Sequence, residues 1–378
     1  MNAPVLFQEL ATDGDMKLGV ATLNSPQTLN GLSLEMCRLL GQQLTLWAND
    51  PSIALVIMKG AGDKAFSAGG DLHGLYKAMQ ENTQADPWAN TYAREFFDCE
   101  YRLDYQIHTY GKPIVCWGSG IVMGGGVGLM MGASHRVVSE TTRFAMPEIS
   151  IGLFPDVGGT WMLARLPDGI GAFLALTGAQ LGASDCQLLG LSDYVLETER
   201  WNDFLHALQA AQWHTGRRLN DAQLRSILLS MRPSQPLPTG PLQAHFHSLR
   251  ELCDGADFLK VVDGIRQLAQ HTDPWLQRAA KTFLAGSPGS ARLSFTLLEQ
   301  VRFMSLADVF RHEYIVSLQC GVQGDFQEGI RALLIDKDKQ PRWNPGSYEE
   351  ASEEWVQRFF KTPWPVQVDH PLADLGQI

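Results

Sequence analysis

The sequence has few cysteines and few positive charges for its length. Only six of its 378 residues are cysteine, no two lie close together, and no CxxC or Cys/His metal-ligand spacing occurs. We therefore expect reduced thiols in the cytoplasm and no metal site, because disulfide scaffolds are rich in cysteine. Lys and Arg number 30 against 41 Asp and Glu, a formal charge of −11, so nucleic acid is not an expected partner.

Targeting and membrane signals are also missing. The N-terminal sequence MNAPVLFQEL lacks the basic start and apolar run of a secretory signal, and it lacks the Arg-rich character of a transit peptide. The stretch from Pro113 to Ser134 carries no charge and is long enough to cross a bilayer. It contains seven glycines, however, which favour a strand, a tight turn and a helix start. We expect no membrane segment.

Strand and helix patterns alternate in the first third of the sequence. Lys17–Leu23 alternates as a strand, Ser33–Trp47 has helical spacing behind a serine cap, and Ile53–Lys59 is an apolar run typical of a buried strand. Further strands are predicted at Ile114–Gly118, Arg136–Ser139 and Arg143–Met146. This recurrence predicts an α/β layer architecture.

Helical patterns dominate after Val195. They are predicted at residues 203–212, 222–229, 242–252, 258–269, 275–283, 290–301, 306–322 and 326–334. Four prolines between Arg232 and Pro241 predict a loop, and the Pro-rich tail after Thr362 is predicted to be irregular. We therefore divide the chain into an α/β part over residues 1–196 and a mainly helical part over residues 197–378.

Two glycine-rich turns, Ala68-Gly69-Gly70-Asp71 and Gly124-Gly125-Gly126, each follow a strand-like stretch and precede a helical one. Backbone N–H groups at such turns can hold an oxyanion, although glycine turns alone more often have a purely structural role. Two carboxylates, Glu148 and Asp156, each follow a proline within apolar surroundings. Burial there would favour acid–base or nucleophilic work, and a helix cap or a salt bridge is the alternative.

Three segments resemble the crotonase, or enoyl-CoA hydratase/isomerase, superfamily: KAFSAGGDL (64–72), GIVMGGGVGL (120–129) and FAMPEISIGLFPDVGGTWMLARLP (144–167). The resemblance implies a ClpP-like spiral of ββα units that acts on acyl-CoA thioesters. The GLFPDVGG stretch, SPGSARLSFTLLEQ (287–300) and GDFQEGIRALLIDKDKQPRWNP (324–345) resemble the 3-hydroxyisobutyryl-CoA hydrolases within it. This implies that the helical region extends the α/β core and packs around one acyl-CoA site.

The resemblance assigns roles to individual residues. It implies that the N–H groups of Ala68 and Gly125 form an oxyanion hole, that Glu148 lies beside the thioester carbonyl, and that Asp156 is the aspartate of the hydrolases. It further implies that Glu100 lines the substrate pocket, against the alternative of an exposed carboxylate on a helix surface. Other implied substrate-binding residues are Gly69, Gly70, Asp71 and Gly124.

One departure from the hydratase pattern separates the possible activities. Hydratases carry a second catalytic glutamate two residues after the glycine run, and this sequence has Gly128 there. The resemblance therefore implies hydrolysis of a short 3-hydroxyacyl-CoA, with hydration or isomerisation of an enoyl-CoA as one alternative. A catalytically idle scaffold or RNA-binding relative is another. We expect no cofactor, because coenzyme A is part of the substrate, and a homo-oligomer is a possible assembly.

Overall fold

The computed structural model describes residues 3–377, and its strands all lie before residue 196. They are β1 (Val5–Ala11), β2 (Lys17–Leu23), β3 (Ile53–Gly60), β4 (Ala65–Ser67), β5 (Ile114–Gly118), β6 (Ile121–Met123), β7 (His135–Val138), β8 (Arg143–Ala145) and β9 (Tyr194–Val195). The predicted strands are confirmed, most with shifts of one residue at an end. Strand β1 escapes pattern-based prediction because its buried and exposed residues do not alternate regularly.

Helices occupy most of the remaining described residues. They are α1 (Leu34–Asn49), α2 (Leu72–Glu81), α3 (Thr91–His108), α4 (Gly125–Gly132), α5 (Gly159–Leu163), α6 (Ile170–Thr177), α7 (Ala183–Leu188), α8 (Trp201–Ala210), α9 (Arg217–Ser230), α10 (Pro241–Ala244), α11 (Phe246–Cys253), α12 (Phe258–Gln267), α13 (Pro274–Ala285), α14 (Pro288–Gln300), α15 (Leu306–Gln323), α16 (Phe326–Ile330) and α17 (Glu353–Gln357). Within residues 3–377, no helix has both the length and the apolar character needed to span a bilayer.

The predicted helices after Val195 are confirmed with two differences. The single helix predicted over residues 242–252 is two helices, α10 and α11, and the helix predicted from residue 326 ends at Ile330, where a π-helical turn continues the chain. The proline-rich stretch before Pro241 contains no helix or strand, as predicted. Pattern reasoning missed α3, because the buried carboxylates Glu100 and Asp104 interrupt its apolar face.

The chain forms two compact units, and each draws on separate stretches of sequence. The sheet unit contains the residues up to Gly70, Leu103–Phe144 and Gln180–Ala244, and the helical unit contains Asp71–Arg102, Ala145–Ala179 and the residues from His245 onward. The boundary predicted at residue 196 separates an α/β part from a helical part of the sequence and stays a prediction. The two compact units do not follow that boundary, because each unit combines stretches that are distant in the sequence.

Six strands of the sheet unit form one sheet in the order β1-β2-β3-β5-β7-β9. Only the β1–β2 pair is antiparallel, and the other neighbours run parallel. Strand β3 is buried from Ile53 to Met58, which explains why its sequence is continuously apolar. Helices α8 and α9 cover this sheet with Phe204, Leu208, Leu224 and Leu228, which share one apolar cluster with the strands.

A smaller sheet, in the order β4-β6-β8, carries the two glycine-rich turns. Strands β4 and β6 pair in parallel, so the turns that follow them leave the sheet at the same edge. Helix α4 then begins at Gly125, and a Cβ atom placed on Gly126 would lie 2.5 Å from the carbonyl oxygen of Ser67. Glycine at 126 therefore lets helix α4 approach strand β4 closely.

Replacing Gly126 by Ala is expected to lower the free energy of unfolding by about 1–3 kcal/mol, because the added methyl group overlaps the backbone of Ser67. Denaturant unfolding followed by circular dichroism measures the change. Gly111→Ala is the control, since a Cβ atom at that position meets no atom within 4 Å. Equal stabilities of the two variants would show that the close approach is not needed.

Candidate active site

The first glycine-rich turn is held to its own unit by three hydrogen bonds. The N–H of Ala68 donates to the carbonyl oxygen of Leu29 at 3.0 Å, and the N–H of Leu32 donates to that of Gly69 at 2.7 Å. The N–H of Gly69 donates to the side-chain oxygen of Ser67 at 3.3 Å. Gly69 has a φ of +110°, a conformation that glycine adopts without strain.

These contacts correct the expected oxyanion donor. The N–H of Ala68 is engaged by Leu29 and is not available to a ligand. Among residues 3–377, no acceptor binds the N–H of Gly70, which follows two residues later. Gly70 is therefore the residue of this turn with a free donor, and the difference arises because residues distant in sequence occupy the other two N–H groups.

The second glycine-rich turn lies beside the first within the sheet unit. The N–H of Gly125 is the first of helix α4 and has no acceptor among the described residues, as is usual for the first turn of a helix. A Cβ atom on Gly69 would lie 3.6 Å from the nitrogen of Gly125. The structure thus brings Gly70 and Gly125 together in neighbouring turns, and we call their two free N–H groups the amide pair.

Asp71 caps the N-terminus of helix α2, which follows the first glycine-rich turn. Its carboxylate accepts the N–H of Gly74 at 3.1 Å. An aspartate in this position satisfies an N–H group that the helix itself leaves unpaired. Its role in substrate binding stays a prediction.

Three carboxylates of the helical unit are buried near one another, and we call them the carboxylate cluster: Glu100, Glu148 and Asp156. Their exposed fractions are 2%, 4% and 6%. Glu100 belongs to α3, so the alternative of an exposed helix-surface carboxylate is wrong for this residue. One oxygen of Glu100 and one of Glu148 are buried without a hydrogen-bond partner in the part of the chain that the structure describes.

Close backbone packing at Gly152 and Gly329 positions the turn that carries Glu148. Glu148 begins a 3-10 turn over Glu148–Ile151 that Gly152 ends with a φ of +73°. A Cβ atom on Gly152 would lie 2.3 Å from the carbonyl oxygen of Asp325, and one on Gly329 would lie equally close to that of Ile151. The turn that carries Glu148 is therefore packed directly against the backbone around helix α16.

Burial and mutual repulsion shift the titration of the carboxylate cluster. Burial raises the pKa of Glu148 and that of Glu100 well above the usual value, and the charge of Asp156 raises both further. Burial also raises the pKa of Asp156 to about 6, although the hydrogen bond from Tyr101 opposes this. No cation contributes to any of these shifts. Perturbed groups of this kind are typical of acid–base sites.

Two residues that sequence reasoning missed are linked to the side chain of Asp156, Tyr101 directly and Ser317 through Tyr101. The hydroxyl of Tyr101 donates to Oδ2 of Asp156 at 2.8 Å and lies 2.7 Å from the hydroxyl of Ser317 in α15. Burial raises the pKa of Tyr101, so its hydroxyl keeps the proton that it donates. The position of Tyr101 next to Glu100 is the only local signal, because 55 residues separate it from Asp156.

Residues 18–360 match the family described as enoyl-CoA hydratase/isomerase, and the chain belongs to this family. It is 39% identical over 342 residues to the 3-hydroxyisobutyryl-CoA hydrolase, mitochondrial, of Xenopus tropicalis, covering 90% of this chain and 86% of that protein. It is 37% identical over 362 residues to the protein of the same name from Danio rerio, covering 95% and 89%.

A solved structure confirms the fold class. The carnitinyl-CoA dehydratase of Mycobacterium thermoresistibile is 32% identical, with a TM-score of 0.81 over 97% of this chain and 98% of the other. The crotonase fold with a C-terminal helical extension is therefore shared over nearly the whole length. The resemblance that the three motifs indicated is confirmed.

Replacing Asp156 by Asn is expected to stabilise the protein more at pH 8 than at pH 5. Its pKa of about 6 in the folded state exceeds the value of about 3.9 for a free aspartate. The stability linked to its protonation is therefore present below about pH 4 and is lost as the pH rises through about 6. Since one pKa unit corresponds to about 1.4 kcal/mol, the gain at pH 8 should be about 1–3 kcal/mol.

Thermal unfolding of the wild type and of Asp156→Asn at both pH values measures this difference. Asp15→Asn is the control, because it removes an exposed carboxylate. An equal gain at pH 5 and pH 8 would contradict the linkage between Asp156 and stability.

Proposed function

We propose that this protein hydrolyses a short-chain 3-hydroxyacyl-CoA thioester, with 3-hydroxyisobutyryl-CoA as the substrate. The products are 3-hydroxyisobutyrate and coenzyme A, as in a step of valine degradation. The observation that carries the proposal is the carboxylate cluster with its unpartnered buried oxygens. Buried polar atoms without partners are rare in proteins and are expected where a ligand completes the site. The names of the curated relatives support the same activity.

In the proposed mechanism, the amide pair of Gly70 and Gly125 acts as an oxyanion hole for the thioester carbonyl. Such donors stabilise the tetrahedral oxyanion, and each contributes about 3–4 kcal/mol to the transition state. Neutral N–H groups suit an acidic protein, because they need no positive charge beside the reacting carbonyl. We assign Gly69, Gly124 and the rest of the first turn to binding of the same substrate.

Glu148 supplies the reacting carboxylate. It attacks the carbonyl carbon to form an acyl-enzyme anhydride, or it accepts a proton from the water that attacks. In the first route, water then hydrolyses the anhydride, which releases the acid and regenerates Glu148. Both routes expel the thiolate of coenzyme A, which takes up a proton released by the attacking water. Hydroxylamine trapping distinguishes them, since only the anhydride route yields an acyl-enzyme that hydroxylamine intercepts. Burial raises the pKa of Glu148, and a carboxylate with a raised pKa is a stronger base than an ordinary glutamate.

Asp156 and Glu100 recognise the acyl group and the attacking water. A site built to bind a β-hydroxyl group by hydrogen bonds strongly rejects acyl groups that lack it. The extra methyl group that separates 3-hydroxyisobutyryl from 3-hydroxypropionyl is worth only about 1–3 kcal/mol. A panel of short 3-hydroxyacyl-CoA substrates therefore defines the preferred acyl group.

The proposal also includes expectations about cofactors, metals, cellular location and assembly. The reaction needs no cofactor and no metal, because the acyl-CoA brings the thioester and the chain supplies donors and carboxylates. All six cysteines are free thiols, which suits a reducing compartment such as the cytoplasm. The curated relatives are named mitochondrial, and the cytoplasmic location and a homo-oligomer stay predictions.

Hydration of an enoyl-CoA is the second candidate, favoured by the similarity to a carnitinyl-CoA dehydratase. Hydration requires a second acid–base group besides Glu148. Helix α4 carries Gly128 where hydratases carry that second glutamate, so this group is missing at that position. An idle scaffold or RNA-binding relative would have no need for three buried carboxylates, whose burial lowers stability. We therefore favour hydrolysis over both.

Purified protein is expected to release free thiol from 3-hydroxyisobutyryl-CoA, and Glu148→Gln is expected to abolish the release because it removes the nucleophile or base. A thiol-reactive dye measures the rate, and Glu299→Gln, at an exposed position of α14, is the control. Hydration of crotonyl-CoA without thiol release would favour the second candidate. Saturable RNA binding at physiological salt without any turnover would favour the third.

Replacing Tyr101 by Phe is expected to move the acid limb of the pH profile of kcat/KM to higher pH. The lost hydrogen bond lowers the pKa of Asp156 in the wild type, so its removal raises that pKa. Tyr348→Phe is the matched control, since that buried hydroxyl donates to the carbonyl oxygen of Phe283 instead. An unchanged acid limb in Tyr101→Phe would show that the ionisation of Asp156 does not control kcat/KM.

A further inference from the structure

The chain reverses direction in a strained turn directly after Asp156. The carbonyl oxygen of Asp156 accepts the N–H of Gly159 at 2.7 Å, and both central residues have positive φ, 55° at Val157 and 76° at Gly158. This is the pattern of a type I′ turn, whose central positions favour Asn, Asp and Gly. A β-branched residue such as Val157 is a rare occupant of the left-handed region, and such strain persists only where the surroundings enforce it.

Glu313 in helix α15 supplies contacts that hold this turn. Its carboxylate accepts the N–H of Gly158 at 2.7 Å and the N–H of Thr160 at 3.2 Å. It also bonds to the hydroxyl of Thr160. Glu313 is completely buried, and within residues 3–377 Gly158 and Thr160 are the hydrogen-bond partners that the structure gives its side chain. The hydrogen bonds of this buried carboxyl all go to the turn and to the first residues of α5 that follow it, so they tie this segment to α15.

The same face of α15 also reaches the side chain of Asp156. Ser317 lies one helical turn after Glu313, and its hydroxyl contacts the hydroxyl of Tyr101, which donates to Asp156. Helix α15 therefore acts on Asp156 from two directions. Glu313 holds the backbone that follows Asp156, and Ser317 holds the tyrosine that binds its carboxylate.

We infer that Glu313 is a positioning residue that holds Val157 and Gly158 in the left-handed conformation and so fixes the carboxylate of Asp156. Without Glu313, the N–H groups of Gly158 and Thr160 lose their acceptor and the turn can relax to a conformation that valine prefers. The consequence for catalysis rests on the proposed hydrolysis, whereas the conformational claim does not.

Glu313→Gln tests the inference, because the new amide group places N–H atoms against at least one donor of the turn. We expect kcat for thiol release to fall about 10- to 100-fold, with KM for the acyl-CoA nearly unchanged. Asp308→Asn is the control, since it removes an exposed carboxylate from the same helix and should leave kcat as in the wild type.

Two double variants separate turn strain from a general loss of packing. Val157→Gly and Val157→Ala each remove buried methyl groups, but only glycine adopts positive φ without strain. In the Glu313→Gln background, Val157→Gly should restore much of kcat and Val157→Ala should not. If Glu313→Gln does not fold, the same comparison applies to the yield of folded protein. Equal behaviour of the two double variants, or a wild-type kcat in Glu313→Gln, would overturn the inference.

Hydrogen exchange keeps this test independent of the proposed function. The amides of Gly158 and Thr160 should exchange at least about tenfold faster in Glu313→Gln than in the wild type, and Asp308→Asn should not change them. In a folded Glu313→Gln, unchanged exchange would refute the positioning role even if the wild type hydrolyses the substrate. A wild type without hydrolase activity, combined with faster exchange in Glu313→Gln, would refute the proposed function and leave the positioning role intact.

Discussion

The burial of three carboxyl groups without a compensating cation is the constraint on which the helical unit depends. Removing a carboxylate from water is costly, and the charge of Asp156 raises the pKa of both Glu100 and Glu148. The unit holds Glu148 through backbone packing and Asp156 through a side-chain hydrogen bond rather than through ion pairs. Close approach at Gly152 holds the turn of Glu148, and Tyr101 holds Asp156. The result is a set of carboxyls whose pKa values all lie above their usual values.

The sheet unit presents uncharged hydrogen-bond donors, whereas the helical unit presents carboxyl groups. It contributes no charge at its glycine-rich turns and presents the N–H groups of Gly70 and Gly125 instead. Both turns follow strands of the small parallel sheet, which sets their spacing. Glycine is required there for two reasons, positive φ at Gly69 and the close packing of Gly126 against Ser67. A rigid sheet edge of this kind suits preorganised stabilisation of an oxyanion.

Under the proposed function, the side chains around the carbonyl bound by the amide pair decide which reaction occurs. Hydration across a double bond needs two groups that move protons, whereas hydrolysis needs one carboxylate at the carbonyl and a means to deliver water. Gly128, which replaces the second glutamate of hydratases, and the carboxylates of Glu100 and Asp156 favour hydrolysis. Helix α15, in the helical half of the sequence, reaches Asp156 both through Tyr101 and through the turn that follows it. The helical half of the sequence therefore supplies the contacts that hold Asp156, a residue of the proposed active site.

The sequence by itself determined the α/β alternation, the helical second half, the glycine-rich turns and the family, because these depend on local periodicity and on short motifs. It also indicated Glu148, Asp156 and Glu100 as candidates. Only the tertiary structure decided that Leu29 occupies the N–H of Ala68, that Glu100 is buried, and that Tyr101, Ser317 and Glu313 converge on Asp156 and its turn. These features arise between residues far apart in the chain, where burial and hydrogen-bond partners are set by packing and leave no local pattern.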